Sequence, residues 1–192
     1  MRLFLAIDPP EGARGELEGE LAKVRRRLVA WDETVRWTAA PSVHLTLRFL
    51  GETPPSRLAT LTAALGTALP GPPFDVEVDG AGAFSSRGVV RTVWLSFGAG
   101  RERLGAVYDE VSRRLRAGGW PDEGRPFAPH MTIGRMREGR GRPAAGLVEA
   151  VAALEVGPIR WRVDRVVLFS SDLSGPHPVY ASMHQVAIGD RG

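Results

Sequence analysis

The chain has 192 residues, 43% of them hydrophobic, and its 25 basic and 22 acidic side chains give a net charge of +3. A chain of this size can bury an ordinary hydrophobic core, and its small positive charge permits contact with nucleic acid without requiring it. Because the sequence contains no cysteine, disulfides and thiolate metal sites are excluded.

No long apolar segment is present in the sequence. The apolar run at residues 3–7 is interrupted by Asp8 and is too short for a signal peptide, and no stretch approaches the length of a membrane span. These features predict a cytoplasmic protein that has no membrane partner.

Apolar periodicity predicts alternating strands and helices in the first half of the chain. A strand at residues 2–8 ends at two prolines, and another strand covers residues 43–49. A second helix starts after Pro55, continues its apolar stripe to Leu69, and is followed by strands at 74–78 and 89–97. The first helix, between the first two strands, carries one apolar stripe formed by Ala13, Leu17, Leu21, Val24 and Leu28.

The second half of the chain repeats this alternation. A helix with apolar residues at 104, 107, 111 and 115 stops at Gly118 and Gly119, and a strand follows at residues 129–135. A helix is predicted over residues 144–154, and strands near 159–169 and 179–188. The pattern predicts an α+β fold, and because no linker separates the halves we expect a single domain over residues 1–192.

One tripeptide pattern occurs twice, each time inside a predicted strand. The two copies are His44-Leu-Thr46 and His130-Met-Thr132. Successive side chains of a strand point to opposite faces, so each histidine shares a face with its own threonine. The sequence therefore predicts one site built from two similar halves.

Paired imidazoles and hydroxyls suit the hydrolysis of a phosphodiester. One imidazole can act as general base and the other as general acid, while the hydroxyls hydrogen-bond the phosphate oxygens. A metal site is the alternative, but the sequence has no His-x-x-x-His or His-Glu-x-x-His pattern and would have to recruit distant carboxylates. We predict no metal and no cofactor.

Several further segments accompany the two tripeptides. They are residues 1–8, Arg36-Trp37, residues 44–51, residues 82–84, residues 125–135, residues 168–173 and Tyr180. Through these segments the chain resembles the bacterial and archaeal RNA 2',3'-cyclic phosphodiesterases, historically called 2'-5' RNA ligases, of the two-histidine phosphoesterase superfamily. The resemblance covers nearly the whole length.

The resemblance implies a fold and an activity. The fold is two pseudo-symmetric lobes, each an antiparallel sheet with outer helices, and the active site lies in the cleft between the sheets. The activity is metal-independent hydrolysis of the terminal 2',3'-cyclic phosphate of RNA to a 2'-phosphomonoester, with His44 as the acid and His130 as the base. The residues alone do not establish which histidine is which. Expected substrates are RNA ends, including tRNA fragments, or small cyclic nucleotides, and the expected state is a monomer.

Three more residues are predicted to contact substrate. The resemblance implies that Arg135 binds phosphate; in a regular strand it would share a face with Met131, so its placement needs a bulge, which Gly134 could permit. Arg48 has the strand parity of Thr46, with a surface cation as its alternative. Phe127 could stack on a base, with a core role as its alternative.

One segment and two alternative activities are left open by the sequence. The Arg- and Gly-rich residues 135–143 are either a basic loop that holds an RNA backbone or a solvated surface loop. His177 and His184 are assigned no catalytic role. The same site run in reverse would join a cyclic-phosphate end to a 5'-hydroxyl, and a binding module without catalysis is the other alternative, although binding alone would not require two proton-transfer groups.

Overall fold

The computed structural model of the protein describes residues 1–86, 89–137, 146–175 and 178–189. Ten strands and four α-helices lie within these residues. The strands are β1 (Arg2–Ile7), β2 (Val35–Trp37), β3 (Leu45–Glu52), β4 (Ala68–Leu69), β5 (Phe74–Ser86), β6 (Val89–Phe97), β7 (His130–Met136), β8 (Ile159–Val163), β9 (Arg165–Asp172) and β10 (Val179–Ile188). The α-helices are α1 (Glu11–Arg27), α2 (Leu58–Leu65), α3 (Arg101–Ala117) and α4 (Leu147–Ala152). The α+β prediction is confirmed.

The strands form one hydrogen-bonded path in the order β4-β10-β9-β1-β3-β7-β6-β5-β8, with β2 paired to β7. Neighbours are antiparallel except β4 and β10, which are parallel. We call β1, β3, β4, β9 and β10 the His44 half, and β2 and β5 to β8 the His130 half. The two halves join where Leu45 of β3 pairs with Met131 of β7. The two predicted sheets are therefore linked at the centre of the two tripeptides.

The single strand predicted near residues 159–169 is two strands in the structure, separated at Asp164. The chain passes from the His130 half to the His44 half between them. β8 pairs with β5 in the His130 half, and β9 pairs with β1 in the His44 half. The Asp164 carbonyl accepts a hydrogen bond from the backbone N–H of Ile188 at 2.7 Å, so the crossing point is held by β10.

Helices cover the outer faces of both halves. Helix α3 packs against α2, β3 and β4, while α1 contacts β8 and α4 contacts β5. The predicted stripe of α1 is buried along its whole length, as an amphipathic helix requires. Helix α2 is shorter than predicted, because the chain turns at Gly66 with φ of 68° and Leu69 lies in β4 instead.

Within the described residues, no helix is long and apolar enough to cross a membrane. Part of the predicted Arg- and Gly-rich loop (138–143), the start of the predicted last helix (144–145) and His177 lie outside the described residues.

Candidate active site

The two His-x-Thr tripeptides meet at their middle residues. Leu45 and Met131 are antiparallel partners, and both are fully buried. In this register His44 lies toward Thr132 and Thr46 lies toward His130, on the face opposite to the two apolar side chains. The pairing gives a local two-fold relation between the tripeptides, so their four polar side chains lie on one face of the joined strands.

Both imidazoles are anchored in the same way. The Nδ1–H of His44 donates to the Ser42 carbonyl at 2.9 Å, and that of His130 donates to the Ala128 carbonyl at 2.7 Å. A carbonyl can only accept, so each Nδ1 carries a proton and each Nε2 is the atom that exchanges protons. The two carbonyls hold both rings in the tautomer that acid–base catalysis needs.

Each motif strand contains a bulge immediately after its threonine. In β3, Thr46 pairs with Ala6 and Arg48 with Leu5, so Leu47 is the extra residue. In β7, Thr132 pairs with Trp94 and Gly134 with Val93, so Ile133 is the extra residue. A bulge shifts the alternation of side chains by one. The residues directly beyond it, Arg48 and Phe49 in β3 and Gly134 and Arg135 in β7, lie on the face opposite to the one predicted by simple parity.

The bulge in β7 brings Arg135 to the cleft. Arg135 faces the same side as Thr132 and lines the same cavity. The bulge lies at Ile133, one residue before the predicted Gly134. The lack of a side chain at Gly134 lets β2 approach β7 closely, because an added Cβ would lie 2.7 Å from Cγ1 of Val35 in β2.

The bulge in β3 takes Arg48 away from the cleft, so its predicted contact with substrate is wrong. Arg48 is 1% exposed. Its guanidinium donates to Ser112 Oγ at 2.8 Å and to the Pro121 carbonyl at 2.6 Å. It ties β3 to helix α3 and to the segment that follows the helix.

Phe127 packs against helix α3 and the hydrophobic core, which favours the core role named as its alternative. Its ring stacks in parallel on Tyr108 of α3, with centroids 4.2 Å apart and an interplanar angle of 1°. Tyr108 therefore covers one face of the Phe127 ring, and Phe127 is not among the described residues that line the cavity.

A cavity of about 450 Å³ opens beside the joined tripeptides. Of the predicted residues it is lined by His44, Thr46, Thr132 and Arg135. Among the described residues His130 is not part of this lining; its ring packs edge-on against Phe84 at 4.8 Å. The other lining residues include four aromatic and two basic side chains, namely Phe4, Trp37, Phe49, Tyr180, Arg2 and Arg36.

Comparison with known proteins agrees with this geometry. The family model of the 2'-5' RNA ligase superfamily matches residues 15–175. That span includes both tripeptides and Arg135. The chain belongs to the 2'-5' RNA ligase superfamily.

Relatives of this superfamily member match over most of their length. An RNA 2',3'-cyclic phosphodiesterase of Thermus thermophilus is 32% identical, with 100% of this chain and 93% of the relative covered. Another, of Aeropyrum pernix, is 30% identical, with 91% and 98% covered. The crystal structure of E. coli LigT complexed with 3'-AMP has a TM-score of 0.72 and 26% identity, with 97% of each chain covered.

The two histidines of this 2'-5' RNA ligase superfamily member differ in their surroundings. Burial lowers the pKa of His44 to about 4, against the opposing effect of the Ser42 carbonyl. Phe4 stacks on the His44 ring at 4.9 Å and Tyr180 meets it edge-on at 5.2 Å. These rings are the apolar surface that disfavours the imidazolium form.

Burial also lowers the pKa of His130, and the Ala128 carbonyl again opposes it. The guanidinium of Arg135 lowers the pKa of both histidines. One cation thus acts on both catalytic candidates. The lowered pKa values favour the neutral form of both imidazoles at pH 7.

Sequence reasoning missed several residues of this superfamily site. Phe49 was expected on the apolar face of its strand, and the bulge turns it into the cavity. Arg36 lies opposite Arg135 in the pairing of β2 with β7. Strand β2 has three residues, too few for periodicity to detect it. Arg36 and Tyr180 lie in the segments that carry the family resemblance, and that resemblance was the one signal in the sequence that could have identified them as site residues.

Among the described residues, no group of three His, Asp or Glu side chains is placed to hold a metal ion, and metal independence stays a prediction.

Proposed function

We propose that the protein hydrolyses the terminal 2',3'-cyclic phosphate of RNA to a 2'-phosphomonoester without a metal ion. The pairing of Leu45 with Met131 carries the proposal, because it sets two anchored imidazoles and two threonines around one cleft. The relatives named RNA 2',3'-cyclic phosphodiesterase support the substrate class. We take residues 1–192 as one two-lobed domain, because strands from both ends of the chain build the His44 half.

The reaction is an in-line displacement at phosphorus. Nε2 of His130 removes a proton from water as the water oxygen bonds to phosphorus. The bond from phosphorus to the 3' oxygen breaks, and Nε2 of His44 delivers a proton to that oxygen, so the product carries a 2'-phosphate and a 3'-hydroxyl. Thr46, Thr132 and Arg135 hold the non-bridging oxygens, where charge builds up in the transition state.

Substrate binding prepares His44 for its role as acid. With a pKa of about 4 the free imidazole is neutral near pH 7. A phosphate anion brought beside the ring favours the imidazolium form and raises that pKa. This shift favours the charged form of the acid in the complex, where the leaving oxygen needs its proton.

The charge of the cavity supports an RNA end as substrate. Arg2, Arg36 and Arg135 line the cavity, and none of the described residues that line it is acidic. Like charges directly opposite each other, as Arg36 and Arg135 are in β2 and β7, destabilise a sheet unless an anion lies between them. Phosphates are the anions that guanidinium groups bind best. RNA ends such as tRNA fragments offer several phosphates, and small cyclic nucleotides offer one.

A cyclic-phosphate oligonucleotide tests the proposal directly. In excess chelator, the wild-type protein should release a 2'-phosphomonoester, and His44→Ala and His130→Ala should each lose roughly 10²–10⁴-fold in kcat. His184→Ala is the matched control, because His184 lies in β10 outside the cavity lining and should keep wild-type activity. No product from wild type under chelation, or full activity in either cleft variant, would contradict the mechanism.

The superfamily name gives RNA ligation as the second candidate. The reverse reaction uses the same groups, with a 5'-hydroxyl in place of water. Offering a cyclic-phosphate end together with a 5'-hydroxyl end separates the two activities: we expect the 2'-phosphomonoester to dominate. A dominant joined 2'-5' product would identify a ligase, and tight binding without either product would identify a binding module.

A further inference from the structure

We propose that Asp8 and Arg14 are positioning residues for His44, because they hold the turn whose backbone carbonyl orients its imidazole. Neither side chain is among the described residues that line the cavity, so both act through His44 rather than on the substrate. The inference rests on the proposed function, in which His44 delivers a proton to the leaving oxygen.

The turn that these residues hold lies directly before the first tripeptide. It is a single 3-10 turn over residues 40–42, and the carbonyl of its last residue, Ser42, accepts the Nδ1–H of His44 at 2.9 Å. Pro41 is exposed and Ser42 is only half-buried, so the hydrophobic core does not fix them. The orientation of the His44 ring therefore depends on polar contacts made by the turn.

Arg14 of helix α1 supplies such contacts. Its Nη1 donates to the carbonyls of Ala40 and Pro41 at 3.2 and 3.1 Å. Its Nη2 forms an ion pair with Oδ1 of Asp8, the residue directly after β1. One guanidinium thus joins β1, α1 and the turn before His44. Partly exposed ion pairs contribute little to stability, so we expect its loss to affect the turn more than the folding of the domain.

The charges around His44 support the same assignment. Burial lowers the pKa of His44 to about 4, its carbonyl partner and Asp8 oppose this, and Arg14 and Arg135 add to it. The effect of Asp8 is larger than that of Arg14. Tyr180 meets the ring edge-on, and burial raises its pKa further above neutrality, so it carries no charge there. Asp8 is therefore the carboxylate that favours the charged form of this imidazole.

His130 has no carboxylate among the described groups that shift its pKa. Burial lowers that pKa, the Ala128 carbonyl opposes the shift, and Arg125 and Arg135 add to it. A general base must be neutral before the reaction, and neighbouring guanidinium groups favour that form. A general acid must be charged, and a neighbouring carboxylate favours that form. The charges beside the two histidines thus differ in the direction that the proposed roles require.

Hydrolysis of cytidine 2',3'-cyclic phosphate tests the role of Arg14. Arg14→Gln should lower kcat by roughly 10- to 100-fold, the range for a reacting group displaced or a histidine left without its orienting partner, with little change in KM. Arg14→Lys should restore most of kcat, because an ammonium still donates to the turn and pairs with Asp8. Since Arg14 acts through His44, Arg14→Gln should cost nothing further in His44→Ala, but its full factor in His130→Ala.

Asp8→Asn tests the charge separately from the shape. The amide oxygen can still accept a hydrogen bond from Arg14, so the turn stays in place while the negative charge is lost. The acid then releases its proton at lower pH, and the alkaline limb of the kcat profile should move to lower pH. A turn that merely loosened would expose the ring of His44 to water and move this limb to higher pH.

Arg103→Gln is the matched control, because Arg103 of α3 donates in the same way to the Pro72 carbonyl at 2.9 Å and should leave kcat unchanged. An equal loss from Arg14→Gln with and without His44 would overturn the proposal. So would an alkaline limb that stays in place or rises in Asp8→Asn, and this profile decides alone if Arg14→Gln does not fold. These results leave the hydrolase function intact, whereas a wild-type protein without hydrolysis would overturn that function and the positioning role with it.

Discussion

At the scale of the residue, two similar tripeptides acquire different environments. Each histidine donates Nδ1–H to the carbonyl two residues before it. His44 is enclosed by Phe4 and Tyr180, and burial lowers its pKa to about 4. His130 meets Phe84 edge-on, and burial lowers its pKa as well. One sequence pattern with identical backbone anchoring therefore places its two histidines in different surroundings.

The lowered pKa values predict the pH dependence of kcat/KM, which reports the free protein. Both imidazoles titrate below the ordinary value of 6.5, and the reaction needs one neutral and one charged ring. The profile should therefore be bell-shaped with its maximum below pH 6.5, and kcat/KM should fall about tenfold per pH unit on the alkaline side. The profile of kcat should lie at higher pH, since bound phosphate raises both pKa values. A kcat/KM that stays flat or rises from about pH 6.5 to about pH 8 would contradict this.

A substrate with a sulfur atom at the 3' position identifies the acid. A thiolate leaves without needing a proton, so His44→Ala should recover most of its lost rate on the 3'-thio cyclic phosphate. His130→Ala should remain slow by roughly 10²–10⁴-fold, because activation of water is still missing. The ratio of the rates on sulfur and oxygen substrates is measured for each variant. Recovery in His130→Ala instead would exchange the two roles.

At the scale of the element, sequence periodicity predicts the helices and the motif faces but does not reveal the bulge in β3. The stripe from Ala13 to Leu28 lies in α1 as expected, because repeated burial at helical spacing leaves a clear pattern. Leu47 and Ile133 are apolar residues at apolar positions, so nothing local marks them as extra. Only contacts with neighbouring strands and with α3 show that Arg48 is buried. The bulge at Leu47 reversed the predicted faces of Arg48 and Phe49, whereas the bulge that the placement of Arg135 required is present in β7, one residue before Gly134.

The close approach of β2 to β7 depends on Gly134. An added Cβ would lie 2.7 Å from Cγ1 of Val35 and 3.0 Å from the ring of Trp37. Gly134→Ala should therefore destabilise the protein by about 1–3 kcal/mol through overpacking. Because β2 carries Arg36, we also expect weaker binding of substrate. Urea unfolding measures the first effect, with an unchanged m-value if the folded state keeps its compactness.

Gly15→Ala is the matched control for that substitution. Gly15 lies inside α1 with nothing within 4 Å of an added Cβ. Alanine should stabilise the helix by roughly 0.5–1 kcal/mol. If alanine at both positions raised the free energy of unfolding, β2 would be free to move away from β7, and the close approach of the two strands would not depend on Gly134.

At the scale of the whole molecule, the halves are joined by strands rather than by a linker. The His44 half takes β1 and β3 from the beginning of the chain and β9 and β10 from its end, while β5 to β8 build the other half. The crossing at Asp164 and the pairing of Leu45 with Met131 hold the halves together. The cavity at this junction is lined by three arginines from both halves and by no acidic residue among those described.

Such a cavity predicts a steep dependence of RNA binding on salt. Each guanidinium that neutralises a phosphate releases counterions, so log(kcat/KM) should fall linearly with log salt concentration, more steeply for an oligonucleotide than for a cyclic mononucleotide. Arg36→Gln should reduce the oligonucleotide slope by about 1. Arg162→Gln, in β8 at the far edge of the sheet and 61% exposed, should leave it unchanged. If both variants change the slope equally, the overall charge governs binding, and the guanidinium groups of the cavity have no special part in holding the RNA.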